Sequence, residues 1–184
     1  MPQFRPLALE GVVEILPDKF GDERGFFSET YNQKVFADNG INAEFIQDNH
    51  SFSSEKGVLR GLHFQRPPFA QDKLVRVVSG RVFDVVVDIR SDSPTYRKWI
   101  SIEVSAEKWN QVFIPKGFAH GFLTLDENTQ FLYKVSALYS KEHDCTVKFD
   151  DPSLEIPWPF DRSQLILSEK DKIALPLSEV ETGF

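Results

Sequence analysis

Short apolar runs separated by turn residues recur along most of the chain, and they constrain its fold more than any other feature. The runs are rich in valine, isoleucine and phenylalanine, whose β-branched or aromatic side chains suit a pleated sheet. The clearest of them span residues 12–15, 45–53, 74–78, 82–87, 99–104, 111–114, 121–125 and 131–137. Many short strands with turn signals between them predict a mainly β fold, a sandwich or a small barrel whose mouth can hold a ligand.

The run from 45 to 53 alternates between two kinds of side chain. Because successive side chains of a strand point to opposite faces, Gln47, Asn49 and Ser51 are expected to share one face. Further along, the runs 74–78 and 82–87 flank a Ser-Gly turn and are expected to form a hairpin-like pair.

Helices are expected to be few, short and peripheral. Asn32 is a suitable N-cap, and Asn39-Gly40 supplies the left-handed stop that ends many helices. Beyond Lys148 the pattern changes to loops and short helices packed over the barrel, with Ser168 as the N-cap of one of them.

Length, cysteine content and charge exclude several classes of protein. A chain of 184 residues predicts one domain spanning 1–184. The single cysteine, Cys145, has no internal partner, and the first residues lack the apolar stretch of a signal peptide, so we expect a cytoplasmic protein. No window approaches the roughly 20 apolar residues of a membrane span, and the net charge of -7 opposes binding to nucleic acid. An anionic small ligand would need a local basic pocket.

Two segments resemble the paired motifs of the cupin superfamily. The first reads GLHFQ over 61–65, and the second reads PKGFAHGF over 115–122. In metal-binding cupins the first motif carries two histidines and a glutamate, and the second adds a third histidine. Here Gln65 replaces the second histidine and no carboxylate follows at the expected offset, which leaves His63 and His120. The sequence therefore predicts that no metal is bound.

Longer motifs narrow the resemblance from a superfamily to a family. The chain contains, in this order, DERGFF at 22–27, QDNHS at 47–51, GVLRGLHFQ at 57–65, KLVR at 73–76, GRVFDVVVDIR at 80–90, IPKGFAHGF at 114–122, YK at 133–134 and LSEKD at 167–171. Taken together they resemble the successive signatures of the dTDP-4-dehydrorhamnose 3,5-epimerase family. Several long motifs in one order over nearly the whole chain make an accidental similarity improbable.

This resemblance implies a homodimeric cupin, a jelly-roll β-barrel with a few short peripheral helices. It further implies epimerisation of dTDP-4-dehydro-6-deoxy-D-glucose at C3 and C5, giving dTDP-4-dehydro-L-rhamnose without a cofactor. The hydrogens at C3 and C5 both lie alpha to the C4 ketone. Removing either therefore gives an enolate that can be reprotonated on the opposite face.

The resemblance also assigns roles to individual residues. It implies His63 as the base, Asp171 as the carboxylate that orients it, Tyr133 as the proton donor and Lys73 as the stabiliser of the enolate. The residues implied to bind the nucleotide sugar are Arg24, Glu29, Gln47, Asn49, Arg60, His120, Tyr139, Asp144 and Lys170. Among these, Tyr139 matches the aromatic residue that stacks on the thymine, and Asp144 stands where the family carries a glutamate.

Other functions remain open on the sequence. A single-centre epimerase acting on a related dTDP-4-keto sugar would carry the same motifs. A metal-dependent cupin would use His63, His120 and Gln65 as ligands, whereas a non-catalytic binding protein would keep the arginines and lose the base or the acid. Taken singly, each residue also has a structural interpretation: a lone histidine or tyrosine in a strand is most often a packing residue, and Asp171 lies in the first turn of a predicted helix.

Overall fold

Strands dominate the computed structural model, which describes residues 1–184. They are β1 (Gln3–Pro6), β2 (Val13–Leu16), β3 (Phe20–Asp22), β4 (Gly25–Phe27), β5 (Gln47–Ser53), β6 (Leu59–Gln65), β7 (Lys73–Ser79), β8 (Arg81–Asp88), β9 (Trp99–Ser105), β10 (Gln111–Ile114), β11 (Phe118–Thr124), β12 (Thr129–Val135) and β13 (Asp144–Thr146). The helices are α1 (Gln33–Asp38) and α2 (Glu169–Lys172), with 3-10 turns at Arg162–Gln164 and Leu177–Glu179. Neither helix has the length and apolar character needed to cross a bilayer.

Two antiparallel sheets pack face to face. One has the strand order β1-β2-β10-β7-β12-β5 and the other the order β13-β6-β11-β8-β9, while β3 and β4 form a separate hairpin. Valines and phenylalanines of both inner faces, including Val75, Val86 and Phe131, meet in the core between the sheets. This is the mainly β, jelly-roll fold predicted from the sequence, with its few helices at the periphery.

The predicted hairpin between 74–78 and 82–87 is wrong. Strand β7 pairs with β10 and β12, whereas β8 pairs with β9 and β11, so the chain crosses from one sheet to the other between them. Gly80 makes this corner with a φ of +75°, and a Cβ there would lie 2.5 Å from the Thr129 hydroxyl. The turn signal at 79–80 was real, but a local signal does not say which sheet the next strand joins.

Several local predictions are confirmed. The side chain of Asn32 accepts hydrogen bonds from two amides of α1, and Gly40 follows the helix with a φ of +85°. Ser168 caps α2 by accepting from the Asp171 amide. Exposure alternates along β5, where Gln47 and its same-face neighbours are half-buried and the intervening side chains are exposed.

Strands β6 and β11 approach each other unusually closely. Gly61 has a φ of +129°, and a Cβ on it would lie 2.5 Å from the Cα of Gly121. A side chain at Gly121 would in turn meet the carbonyl oxygen of Arg60 at 2.9 Å. The two glycines therefore allow the contact that places His63 directly opposite His120 in the strand register.

A fully buried carboxylate, Asp88, fixes the loop after β8. It accepts hydrogen bonds from the guanidinium of Arg90 at 2.7 and 2.9 Å and from the hydroxyls of Ser93 and Thr95 at 2.6 Å. Burial alone would raise the pKa of Asp88, but these hydrogen bonds lower it to about 2. The stabilisation is therefore fully present above the unfolded-state pKa of about 3.9 and is lost as the pH falls towards about 2.

We expect Asp88→Asn to lower the free energy of unfolding by about 2 kcal/mol at pH 7, because the donors of Arg90, Ser93 and Thr95 lose their charged acceptor. Urea denaturation at pH 7 and at pH 3 measures this, and the difference from wild type should shrink at pH 3. Asp92→Asn, at an exposed position in the same loop, is the matched control and should change stability little. A deficit of the same size at both pH values would contradict this account of Asp88.

Candidate active site

A cavity of about 520 Å³ opens between the two sheets. Arg60, His63 and His120 line it from β6 and β11, whereas Lys73 and Tyr133 line it from β7 and β12. The remaining lining residues are Ser51, Val58, Leu59, Phe122, Phe131, Ile166, Leu167, Ser168 and Asp171. Titratable groups from both sheets and from the C-terminal segment thus converge on one partly apolar space.

His63 is held by a carboxylate 108 residues away in the sequence. Its Nε2 lies 2.6 Å from Oδ1 of Asp171, and the Ser168 hydroxyl donates to the other oxygen of that carboxylate at 2.7 Å. Burial lowers the pKa of His63, and the hydrogen bond to Asp171 only partly opposes that effect. The imidazole is therefore neutral near pH 7, with Nδ1 free to accept a proton.

Lys73 and Tyr133 lie on the opposite wall, on neighbouring strands of the six-stranded sheet. Burial lowers the pKa of Lys73 to about 8, so the amine still carries its charge at neutral pH. Burial raises the pKa of Tyr133, which keeps the phenol protonated, although the nearby Arg60 opposes this shift. A neutral base thus faces a protonated acid and a cation.

His120 belongs to a second histidine–carboxylate pair. Its Nε2 lies 2.8 Å from Oδ2 of Asp84, and both residues are buried. The other oxygen of Asp84 has no hydrogen-bond partner. The negative charges of Asp144 and, to a lesser extent, Asp84 oppose the effect of burial on the pKa of Lys73. The histidines of the two pairs, His63 and His120, therefore lie opposite each other on the adjacent strands β6 and β11.

This arrangement can move protons on a bound carbonyl compound. A neutral imidazole can remove a proton from a carbon next to a ketone, an ammonium can stabilise the resulting oxyanion, and a phenol can return a proton from the other side. The comparisons with known proteins agree with this chemistry, because the family model of dTDP-4-dehydrorhamnose 3,5-epimerase matches residues 6–179. The chain belongs to the dTDP-4-dehydrorhamnose 3,5-epimerase family. The resemblance read from its motifs is confirmed.

Individual members of this family are similar over almost the whole chain. The dTDP-4-dehydrorhamnose 3,5-epimerase of Sinorhizobium fredii is 49% identical over 98% of this chain and 92% of its own length. The Bacillus anthracis enzyme, solved with TDP and PPi bound, is 45% identical with a TM-score of 0.92, covering 95% of this chain and 98% of that one. The Legionella pneumophila enzyme, in complex with dTDP-4-keto-L-rhamnose, is 42% identical with a TM-score of 0.94, covering 98% and 95%.

Three further residues predicted for the epimerase site meet beside β13, outside the set that lines the cavity. The Tyr139 hydroxyl donates to Oδ2 of Asp144 at 3.2 Å, and the same oxygen forms an ion pair with Lys170. The ring of Tyr139 is 60% exposed, so one face is available to a planar ligand. Asp144, which stands where the resemblance implies a longer glutamate, reaches both neighbours.

The other predicted binding residues of the epimerase lie at different places. On β5, Gln47 and Asn49 hydrogen bond to each other, and Asn49 pairs in register with Tyr133. Arg24 lies in the exposed hairpin of β3 and β4, where its side chain hydrogen bonds to Asp22 alone, and the nearby Glu29 is also exposed. Arg24 and Glu29 are therefore not brought to the cavity of their own chain.

Two residues outside the predicted epimerase site, Asp84 and Ser168, support residues within it. Asp84 orients His120, and Ser168 orients Asp171. Asp84 lies within the motif over 80–90, yet it reads as one polar residue in an apolar strand. Ser168 was recognised as a helix cap, but its hydroxyl serves the cap and the carboxylate together.

The three residues of the alternative metal site have other partners. His63 and His120 each bind a carboxylate through Nε2, and the Gln65 side chain binds backbone groups only. No group of three or more histidine, cysteine, aspartate or glutamate side chains is arranged to hold an ion. The donors present do not match the coordination of a metal-binding cupin.

Proposed function

We propose that this protein epimerises dTDP-4-dehydro-6-deoxy-D-glucose at C3 and C5, giving dTDP-4-dehydro-L-rhamnose through enolate intermediates. The observation that carries this proposal is the position of His63 with Asp171 on one wall of the cavity and Tyr133 on the other. Inversion requires a base and an acid on opposite faces of the reacting carbon. Membership of the epimerase family supports the substrate class.

The base in this proposal is Nδ1 of His63. Since Nε2 is held by Asp171, only Nδ1 can take the proton from C3 or C5. The ionised Asp171 then faces an imidazolium, which it stabilises. Burial would raise the pKa of Asp171, but the hydrogen bonds from His63 and Ser168 keep that pKa below its ordinary value.

The enolate carries its charge on the C4 oxygen, where Lys73 is proposed to stabilise it. An ammonium in a partly apolar cavity acts more strongly on a developing oxyanion than it would in bulk water. His120, fixed by Asp84, lines the same space and is proposed to contact the sugar. Tyr133 then returns a proton to the face opposite His63.

The pyrophosphate is proposed to lie at the rim, near the guanidinium of Arg60. This side chain is exposed, and its NH2 group makes only long hydrogen bonds of 3.4 and 3.5 Å within the chain. Its five donors are therefore largely available to an anion. Lys170 adds a second cation close to Tyr139, the proposed partner of the thymine.

We expect Arg60→Ala to weaken dTDP binding by about 2–5 kcal/mol, since a charge pair in a partly desolvated pocket is lost. Titration calorimetry with dTDP measures the change. Arg5→Ala removes an exposed arginine from the edge strand β1 and serves as the control. Unchanged dTDP affinity in a folded Arg60→Ala protein would remove Arg60 from the pyrophosphate site.

We propose in addition a homodimer in the cytoplasm. The hairpin of β3 and β4 exposes Phe20, Phe26 and Phe27 by 54–68%, and exposed aromatic clusters of this kind are typical of interfaces. If Arg24 and Glu29 contact the nucleotide, they do so in the cavity of the partner subunit, since they lie outside their own. Sedimentation equilibrium tests the dimer, and a monomeric mass would contradict it.

The unpaired Cys145 suits a reducing compartment, which supports the proposed location in the cytoplasm.

Reaction in deuterium oxide tests the proposed function. The purified protein, incubated with the dTDP-4-keto sugar, should place solvent deuterium at both C3 and C5, because each inversion passes through an enolate. NMR of the product locates the label and identifies the sugar. Label at one carbon only would identify a single-centre epimerase, and a lack of label at both would overturn the enolate mechanism.

We expect activity to be independent of divalent metal, because the cupin motif supplies too few ligands. Extensive chelation followed by assay should leave kcat unchanged. Loss of activity that a stoichiometric transition metal restores would favour the metal-dependent cupin instead.

A further inference from the structure

Gln65 is buried at the end of β6, two residues beyond His63, and makes three hydrogen bonds to backbone groups. Its Nε2 donates to the carbonyl oxygens of Phe69 at 2.8 Å and Leu138 at 3.0 Å, and its Oε1 accepts from the amide of Ser140 at 2.7 Å. Two of these bonds go to the residues directly before and after Tyr139, Leu138 and Ser140. In an extended segment the carbonyl of the residue before Tyr139 and the amide of the residue after it point to the same side of the chain. The Gln65 carboxamide bonds to both groups, as a neighbouring strand would.

Tyr139 has little else to hold it in place. Its side chain is 60% exposed, and its hydroxyl makes one hydrogen bond, to Asp144. Asp144 pairs in register with Gln65 across β13 and β6. Gln65 thus contacts the backbone on both sides of Tyr139 and also pairs with Asp144, the hydrogen-bond partner of the Tyr139 hydroxyl.

The two loops that Gln65 joins also contact each other. The Ser140 hydroxyl lies 2.8 Å from Nδ1 of His143, and the His143 ring lies 4.8 Å from the ring of Phe69. The amide of Arg66 donates to the carbonyl of His143 at 2.9 Å. Residues 66–69 and 138–143 therefore form one unit around the carboxamide.

We propose that Gln65 is a positioning residue for nucleotide recognition, which fixes the backbone around Tyr139 so that its ring is preorganised to stack on the base. The inference rests on the proposed function, which places the thymine against Tyr139. A ring already held in its bound orientation loses less conformational freedom on binding. The position at which a metal-binding cupin carries its second histidine is here occupied by a residue that serves the nucleotide.

Gln65→Met keeps the length of the side chain and removes all three hydrogen bonds. We expect it to raise the Kd for dTDP and the KM for the sugar nucleotide about tenfold, with kcat changed less than about twofold, because Gln65 is not among the residues that line the cavity of the proposed acid and base. Tyr139→Ala should weaken dTDP binding at least as much. In the Tyr139→Ala background, Gln65→Met should add little, since Gln65 acts through the ring that is already missing.

Asn110 offers a matched control. It is a buried carboxamide with a similar bonding pattern, donating to the Glu14 carboxylate and to the Glu103 carbonyl and accepting from the Ser105 amide, but it bonds to neither of the two segments around Gln65. Asn110→Leu should lower the thermal midpoint without changing the Kd for dTDP. If Gln65→Met does not fold, Gln65→Glu, which keeps the acceptor and removes both donors, is measured instead and should shift the Kd in the same direction.

Three outcomes would overturn the inference. The Kd could stay unchanged in the folded Gln65 variant, or the effects of Gln65→Met and Tyr139→Ala could be additive, or Asn110→Leu could weaken dTDP binding equally. A wild-type protein that binds no dTDP would instead overturn the proposed nucleotide site. That result is distinguishable, because it appears before any variant is made.

Discussion

His63→Asn should lower kcat by about 10³-fold and abolish deuterium exchange at both C3 and C5, because it removes the only imidazole held by Asp171. Asparagine keeps a polar group of similar reach, so the cavity should stay intact and dTDP should bind as in wild type. NMR in deuterium oxide follows exchange at each carbon separately, and titration calorimetry follows dTDP binding.

The control for this variant is His50→Asn. His50 lies on the outer face of β5, where it hydrogen bonds to Gln130 away from the cavity, and its replacement should leave exchange unchanged. Near wild-type exchange in a folded His63→Asn protein that still binds dTDP would show that another group is the base. The proposed mechanism would then fail with that assignment.

Tyr133→Phe should have the second largest effect, lowering the rate of inversion by about 10²-fold while reducing exchange much less. The reason is the position of the two groups on opposite walls. Without the phenol the enolate still forms at His63, and it is reprotonated from the same side, which restores the substrate with label in it. The ratio of exchange to inversion, measured by NMR on one sample, should therefore rise.

Equal losses of exchange and inversion in Tyr133→Phe would contradict this assignment. They would mean that Tyr133 helps to form the enolate rather than to quench it. Lys73→Met provides the comparison, because loss of the oxyanion stabiliser should slow both processes together.

The strands were largely predictable from sequence, but their pairing was not. Alternation and β-branched composition are local properties, and they located β5, β9 and β10 closely. Sheet membership depends on contacts between distant residues, so the two runs around Gly80 were wrongly expected to pair. Strand β6, which carries Arg60 and His63, was not among the predicted runs, and the short strand β13, which gives no periodic signal over its 3 residues, was missed. That residues 1–184 form a single domain stays a prediction.

Residues proposed for the site became recognisable in sequence only as a set. His63 and Asp171 are 108 positions apart, and no spacing rule joins them, whereas the ordered motifs of a family do. The contact of Asp84 with His120 was not predicted, because a sequence motif gives the identity of a residue and not the direction of its side chain. The location of Arg24 outside the cavity could not be predicted, because no local pattern says where an exposed hairpin lies relative to a distant site.

The proposed acid and base are carried by different sheets, and this makes the gap between them a property of the hydrophobic core. Residues such as Val75 and Val86, which never touch substrate, act as spacers that set how far Tyr133 stands from His63. A methylene gained or lost there is expected to shift one wall relative to the other, because a close-packed interior transmits such a change. The distance between the proposed acid and base can therefore change through substitutions in the core that leave every polar residue of the cavity in place.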